Sequence, residues 1–525
     1  MTTEIASPAS IFGEEDERIE RALDVERFNR ASVYNHAGFR PVRNELSHAP
    51  VRVTGTIPRD LEGLYIRNGT NPQFDRTHVR YHVFNGAGML HQIQILNGEA
   101  TYSNTYVRTP RFLFEQQAGR EVFVEFSDVA GGGRAGIDKI KLVEEKKRKG
   151  AIPNLSSLET VPGSTSIQYH HGALYCLQES GYAFVLNARR EGGRLVLDGR
   201  GRLENWGGRW QGPFSAHPRV DPSTGDFYNL SADSTGRILA GHITQGALHR
   251  QAAVHEQTAE TGRMGYLHDF YLTENYLVFP DISIRIDQRL MAGETGSCFF
   301  FDPSYQFRWG VLPRSFRNGD TVRWFDAGMA GSIWHVVNGW ERRGPGGGSE
   351  IVLYAPIFSS YPSDLPIHTP EEPPAKLHKF VLDLESGKVI EKRQLLDHGY
   401  ERPSLNLGYV GAESRYAYLL DEERAGYMGK GALKYDLINE REVAYFDYGD
   451  FFGGEPLFVP KADASSEDDG YLLDLLMTGS EAELLILHAQ SMEQIARLHL
   501  PQRVPFGVHA CWLDQQKVEQ LTVMN

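Results

Sequence analysis

Most of this chain is written in short apolar or alternating runs punctuated by Gly, Pro, Asn and Asp. VRVTGTI, LYIRNG, YHVFNGAG, HQIQILNGEATYSNTYV, GALYCLQESGYAFVL, NYLVFP, EIVLYAP and HKFVLDLESGKVIEKRQLL are examples. Their lengths and patterning predict β-strands, and LNGEA and LESGK read as hairpin turns. Helical patterning is confined to two places. Residues 14–30, EEDERIERALDVERFNR, put Ile19, Leu23 and Phe28 on one face of a charged helix. Residues 136–149, GIDKIKLVEEKKRK, predict a second and mostly charged one.

The 54 glycines and 26 prolines are spread evenly, so no interdomain linker stands out. Many short strands without a break point to one large closed β structure. A β-propeller fits, because radial repetition leaves only short edges. No fixed-period repeat is visible, so two packed β-sandwich domains remain an alternative at this level.

Composition narrows the class. Hydrophobic residues at 41% and charged residues at 23% are those of a globular protein with a large core. A net charge of −14 argues against nucleic acid as a partner. Cys176, Cys298 and Cys511 are too few and too scattered for a disulfide framework or a thiolate zinc site. The N-terminus lacks the basic and apolar regions of a secretory signal. No run approaches the roughly 18 apolar residues of a membrane span. The expectation is a cytoplasmic protein in a reducing compartment, with no obligate protein partner evident.

Among 19 histidines, four lie beside strongly apolar or aromatic sequence: His217 in PFSAHPRVDP, His268 in YLHDFYLTENYLVFP, His335 in SIWHVVNGWE and His509 in RVPFGVHACWL. Any one of them alone is more often a core histidine than a ligand. Together, far apart in a β-rich chain, they fit ligands delivered by separate strands to one point, unlike the i, i+4 pair of a helical zinc site. Imidazoles alone suit Fe(II), Zn, Cu or Ni. Such a site calls for carboxylates that accept the far N–H of each ring. Glu179 in YCLQESGYA, Glu401 in HGYERPSLN and Glu455 in FGGEPLFVP are the candidates; a turn or rim glutamate is the bland reading of each. No phosphate-cradling loop, dinucleotide fingerprint or nucleophile elbow is present. GPGGGSE reads as a flexible loop, and AGGGRAG (130–136) precedes a helix without the context of a phosphate site.

The segments YVRTPRF, STSIQYHHGALYCLQESG, SAHPRVDPSTGD, HDFYLTENYLVF, WGVLPR, VRWFDAG, WHVVNGWE, GGEPLFVPKADASSEDDGYLL and RVPFGVHACW, taken together, resemble the carotenoid cleavage oxygenases over nearly the whole chain. The resemblance implies an all-β, seven-bladed propeller capped by loops and short helices over an active-site tunnel. It implies one Fe(II) held by His217, His268, His335 and His509, with Glu179, Glu401 and Glu455 behind them, O2 as co-substrate and no organic cofactor. Residues 1–45 are then an N-terminal helical or extended segment packing on the propeller. Residues 46–525 form a single catalytic domain with a helical insertion near 136–150. One segment departs from the family: its F-D-G-D-G-M-x-H stretch is FNGAGMLH (84–91) here, with Asn85 and Ala87 in place of two aspartates. Altered loop hydrogen bonding is expected there, with activity kept.

The family's reaction is oxidative scission of an alkene into two carbonyl products. Tyr106, Phe112, Trp334 and Trp512 flank the motifs and are expected as tunnel walls, although each suits core packing equally. Substrates in the family run from carotenoids and apocarotenoids to stilbenes and phenylpropenes. A carotenoid must be drawn from a membrane, which calls for an exposed apolar patch. At 136–149 the apolar Ile137, Ile140, Leu142 and Val143 are outnumbered by charge, although the basic cluster leaves peripheral membrane contact open. The expectation therefore leans to a small hydrophobic aromatic alkene such as isoeugenol or 4-vinylguaiacol, with Tyr106 bonding a substrate phenol. The lysine that accompanies such a tyrosine in stilbene-cleaving members has no clear counterpart. Carotenoid or apocarotenoid cleavage is the alternative. An iron-dependent isomerase and a non-enzymatic propeller are the readings from other classes.

Overall fold

The computed structural model describes residues 11–23, 37–74, 82–191, 194–258, 262–293, 296–360, 373–423, 428–507 and 509–522. The alternating runs fold as strands. HQIQILNGEATYSNTYV becomes the hairpin Ala87–Leu96 and Glu99–Tyr106, with Leu96 paired to Glu99. Its two-residue turn places Asn97 at φ 53° and Gly98 at φ 76°. Both values are left-handed, the turn whose twist matches a hairpin and which asparagine and glycine adopt most readily.

Among the described residues, seven antiparallel sheets of four or five strands follow one another along the chain. Blade 1 joins Gly63–Asn71, Ala87–Leu96, Glu99–Tyr106 and the short Ala49–Pro50 to the C-terminal strand Ala510–Asp514. Blades 2 to 6 run in simple chain order. Their innermost strands are Ser166–His170, Arg219–Val220, Tyr271–Leu272, Asn338–Arg343 and Tyr400–Ser404. Blade 7 runs from Leu457–Pro460 outward and takes the N-terminal strand Arg52–Gly55 as its outermost member. The architecture is the seven-bladed β-propeller. It is closed twice, by an early strand in the last blade and a late strand in the first. A further three-stranded sheet, Met264–Gly265, Ile284–Ile286 and Phe299–Phe301, branches from blade 4.

The core is a ring of clusters between neighbouring blades. Leu484 and Ile486 of the strand Ala482–His488 pack toward blade 1, whereas Leu485 and Leu487 pack toward blade 6. The same division holds in Gly470–Met477, where Leu473 and Leu475 face one way and Leu472 and Leu476 the other. Both faces of such strands are buried, so they read as continuous apolar runs. At about 25 cal/mol per Å² of apolar surface removed from water, this inter-blade burial is the dominant stabilising contribution.

Most of the helices pack together as a cap, whereas Gln515–Gln520 packs through Val518 on the core between blades 1 and 2. Glu14–Leu23 matches the start of the predicted 14–30 helix and buries Ile19 and Leu23; residues 24–36, with Phe28, lie outside the described residues. The second predicted helix runs Gly133–Arg148. It packs on Glu14–Leu23 through Arg18–Asp138 (3.2 Å), Lys139–Glu20 (3.4 Å) and Lys146–Asp16. The glycines of AGGGRAG have a packing role. A Cβ on Gly132 or Gly136 would fall 2.2 or 2.0 Å from the Asp128 carbonyl oxygen. GPGGGSE is the turn of the hairpin Asn338–Arg343 and Ser349–Ile357, closed by Gly344 N–H to Gly348 O and Gly347 N–H to Gly344 O, each 2.9 Å. A third helix, Pro110–Ala118, is absent from the sequence reading. Its signals are nonetheless local: Thr109 caps the Phe112 amide at 3.2 Å, proline follows, and Gly119 closes the end at φ 73°. No helix among the described residues is long and apolar enough to cross a membrane.

Two measurements test this architecture. Leu513, fully buried in the closing strand, is expected to cost about 2–5 kcal/mol when truncated to Ala. Ile390→Ala, on an outer strand and 54% exposed, should stay within about 0.5 kcal/mol; denaturant unfolding compares the two. The second concerns His82, which burial pushes down to about 3. Below its unfolded value near 6.5 the unfolded chain takes up a proton that the folded chain refuses. Stability from this group is therefore whole above pH 6.5 and falls by about 1.4 kcal/mol per pH unit as pH drops toward 3. His82→Asn keeps an acceptor for the Phe84 amide, which donates to His82 Nδ1 at 3.1 Å. It should remove that slope from stability measured between pH 6.5 and 5.

Candidate metal centre

Each of the four histidines singled out in the sequence sits just ahead of an innermost strand, where the chain enters the propeller axis. His217 precedes Arg219–Val220 of blade 3, His268 precedes Tyr271–Leu272 of blade 4, His335 precedes Asn338–Arg343 of blade 5, and His509 precedes Ala510–Asp514 of blade 1. Local hydrogen bonds fix these entries. Ser215 Oγ accepts the His217 amide at 2.9 Å, and its own amide is held by Asn229 Oδ1 at 2.8 Å. The His509 carbonyl accepts the Asn68 amide at 3.0 Å. Val508 lies outside the described residues.

The four imidazoles converge. Nε2 of His217 lies 3.0 Å from Nε2 of His268, His268 to His335 is 3.4 Å, and His335 to His509 is 3.2 Å. All four ligand atoms lie within 4.8 Å of one another. The rings stand edge to face, with interplanar angles of 60° to 85°.

Three carboxylates stand behind three of the rings. Glu179 Oε2 is 2.6 Å from His268 Nδ1, Glu401 Oε2 is 2.6 Å from His335 Nδ1, and Glu455 Oε1 is 3.2 Å from His509 Nδ1. An ionised carboxylate only accepts, so Nδ1 carries the proton and Nε2 turns a lone pair inward. Two of the carboxylates also hold backbone: Glu401 Oε1 accepts the His335 amide at 3.2 Å, and Glu455 Oε2 accepts the Ala510 amide at 3.0 Å. A bulge follows Glu401, and Arg402 takes φ 42°, which costs a non-glycine residue roughly 1–2 kcal/mol. Bulges re-aim neighbouring side chains; here the result is a carboxylate directed at His335, with Arg402 anchored by its ion pair to Glu422.

Electrostatics follow from burial. His217 is pushed well below the usual histidine range by burial and by its three imidazole neighbours. His509 is pushed down by burial, with Glu455 opposing. Burial also presses His268 down, but the Glu179 carboxylate outweighs it and the net shift is upward. Burial pushes all three carboxylates up, yet their histidine partners win and each lies below its ordinary value. Lone pairs about 3 Å apart in a dry interior repel unless a cation sits between them. Metal–imidazole bonds of about 2.1 Å bring neighbouring ligand nitrogens to about this spacing. The donor set therefore fits one divalent ion, and imidazoles backed by carboxylates suit Fe(II).

Trp334 packs against His268 with ring centroids 5.0 Å apart. The Tyr106 and Phe112 rings are tilted against one another with centroids 5.0 Å apart, and pack with Val42, Ala87 and Met89. The Tyr106 hydroxyl accepts from Asn71 Nδ2 at 2.7 Å and lies 3.3 Å from the Val42 carbonyl, to which it can donate. Trp512 packs on the core between blades 7 and 1. None of these last three makes a ring contact with the four histidines. The departing segment is tied down by its own asparagine: Asn85 donates to Ser127 Oγ at 2.7 Å and accepts the Ser127 amide at 3.0 Å.

The sequence reading missed Tyr266. Its hydroxyl donates to Glu179, and its ring lies parallel to His268 and edge-on to Trp334. Its position two residues before His268 was the available signal. From Tyr266 a train of rings leads outward: Phe299 at 5.9 Å, then Phe126 at 5.6 Å, then Phe84 at 5.4 Å.

His335→Ala is expected to abolish stoichiometric iron binding and turnover while preserving far-UV circular dichroism. Full iron content measured by elemental analysis in that variant would contradict the ligand set.

Residues 39–514 match the RPE65 family, described as retinal pigment epithelial membrane protein. The carotenoid 9,10(9',10')-cleavage dioxygenase 1 of Arabidopsis thaliana is 28% identical over 520 residues, which cover 94% of this chain and 91% of that one. A variant of the Synechocystis apocarotenoid oxygenase superposes with a TM-score of 0.74 at 25% identity, covering 91% and 98% of the two chains. The Pseudomonas brassicacearum lignostilbene dioxygenase has the same fold, with a TM-score of 0.75 at 24% identity over 92% and 99%. With four imidazoles converging on the axis of such a propeller, the chain belongs to the RPE65 and carotenoid cleavage oxygenase family and is one of its non-heme, iron-dependent enzymes of oxidative carbon–carbon double-bond cleavage.

Proposed function

We propose that the alkene cleaved is an apocarotenoid or carotenoid, and that the shorter, oxidised apocarotenoid is preferred. The observation that carries this reading is the naming of a relative over nine-tenths of the chain for carotenoid cleavage, together with the apocarotenoid oxygenase likeness. This replaces the lean to a phenylpropene. The phenol anchor that lean required is spent, because the Tyr106 hydroxyl already bonds within the protein.

Two further features support it. Ring contacts link Trp334, Tyr266, Phe299, Phe126 and Phe84 in succession from His268, and an aromatic succession of this length suits an extended polyene better than a single-ring alkene. The helix Gly133–Arg148 buries Val143 and half-buries Ile137, Ile140 and Leu142. It therefore presents no exposed apolar face for drawing a full-length carotenoid from a bilayer.

Iron(II) held by the four imidazoles supplies the redox chemistry that lets ground-state dioxygen react with a double bond. The protein's own residues do the rest. Glu179, Glu401 and Glu455 keep the Nδ1 protons of His268, His335 and His509, so Nε2 of each of these three rings faces the centre as a neutral donor. Trp334 and Tyr266 cover His268 and exclude water beside it. The aromatic train orients the polyene so that one double bond is presented and its neighbours are not.

Purified protein loaded with Fe(II) in air, given an apocarotenal and isoeugenol together, should yield shortened apocarotenoid aldehydes as the main products. One O2 should be consumed per alkene. Vanillin as the main product would overturn the substrate class, and product formed without O2 uptake would indicate isomerisation.

A further inference from the structure

The inner strands that follow His217, His268 and His335 belong to three different sheets, so no β-ladder fixes their separation. Asp269, the residue after His268, connects all three. Its Oδ1 accepts Arg219 NH2 at 2.5 Å and the Phe270 amide at 2.7 Å. Its Oδ2 accepts the Val336 amide at 3.0 Å. Arg219 adds a second link across the same junction, Nε to the Phe270 carbonyl at 2.8 Å. Arg219 lies two residues beyond His217, and Val336 is the residue after His335. The side chain of Asp269 is 3% exposed, so these bonds are shielded from competing water.

We infer that Asp269 is a positioning residue of the metal centre: it sets the spacing of three of the four imidazoles by fastening blades 3, 4 and 5 to one carboxylate. The chemistry requires a group that only accepts. Three donors converge on two oxygens, one of them a guanidinium. An amide in this place would turn an NH2 toward either Arg219 or the Val336 N–H, donor against donor, and would leave Arg219 without its counter-charge. The arrangement also acts on both sides of His335. The His335 amide is held by Glu401 from blade 6 and the next amide by Asp269 from blade 4, so this ligand's backbone is gripped between two blades.

The test uses Co(II), whose visible ligand-field bands report coordination geometry without substrate or turnover. This readout is therefore independent of the substrate class proposed above. Apo wild-type protein and the Asp269→Asn variant are titrated with Co(II), and kcat and KM are measured on the iron-loaded forms. The variant is expected to bind Co(II) about 10- to 100-fold more weakly, as for other loss of groups that orient metal ligands. Its ligand-field bands should shift, and kcat should fall by at least about 10-fold with KM little changed. Arg219→Gln, which removes both Arg219 links to blade 4 but keeps the carboxylate and its bond to the Val336 amide, should shift the bands in the same direction by less; it also serves if Asp269→Asn does not fold. Wild-type bands and affinity in the folded variants would overturn the assignment. So would a lowered thermal midpoint with unchanged bands, since that marks a strut of the fold alone.

Discussion

Everything at the centre of this protein depends on making four imidazole lone pairs face one point in a low-dielectric interior. Neutral rings bring no charge to offset a dication, and left to themselves they would turn away or take up protons. For His268, His335 and His509 the carboxylates of Glu179, Glu401 and Glu455 resolve both problems, fixing the inward nitrogen as the free one and supplying negative charge through the ring. Their burial is sustainable because each is paired, since an unpaired carboxylate in such a place costs several kcal/mol. Glu401 and Glu455 also accept the amide of a ligand or of the residue beside it, so ring and strand are held by the same group.

The propeller answers a geometric demand of that centre. A single sheet presents residues along a line, and a helix presents them at fixed short intervals. Four ligands around one point need several backbones arriving from different directions, which inner strands of separate blades provide. The cost is that the ligands sit on sheets with no mutual ladder. Polar ties such as Arg219–Asp269 at the blade junctions and the apolar clusters between blades therefore carry the registration that hydrogen-bond ladders carry elsewhere.

The β class and the four histidines were legible for one reason each. Short punctuated runs are hard to make into anything but strands, and an imidazole amid Phe, Trp and Val stands out. Blade number was legible only through the family motifs and not in the strand pattern, because strands buried on both faces, as in Gly470–Met477, lose their alternation. No repeat period survives when connections range from tight hairpins to the branch sheet of blade 4. Tyr266 was passed over because an aromatic residue beside a histidine reads as core, although its spacing from His268 was a signal. Asp269 was invisible because its partners, Arg219 and Val336, are remote in sequence. Tyr106 was drawn to attention by its place in a motif, while the structure gives its hydroxyl partners inside the protein.

The double closure has a consequence for how the centre comes into being. Three histidines leave the ribosome with blades 3, 4 and 5. The fourth, His509, follows only after blade 7 and just ahead of the strand that completes blade 1. A nascent chain therefore cannot offer a finished four-nitrogen site while any blade is still being made. The complete four-nitrogen set therefore exists only once the ring has shut.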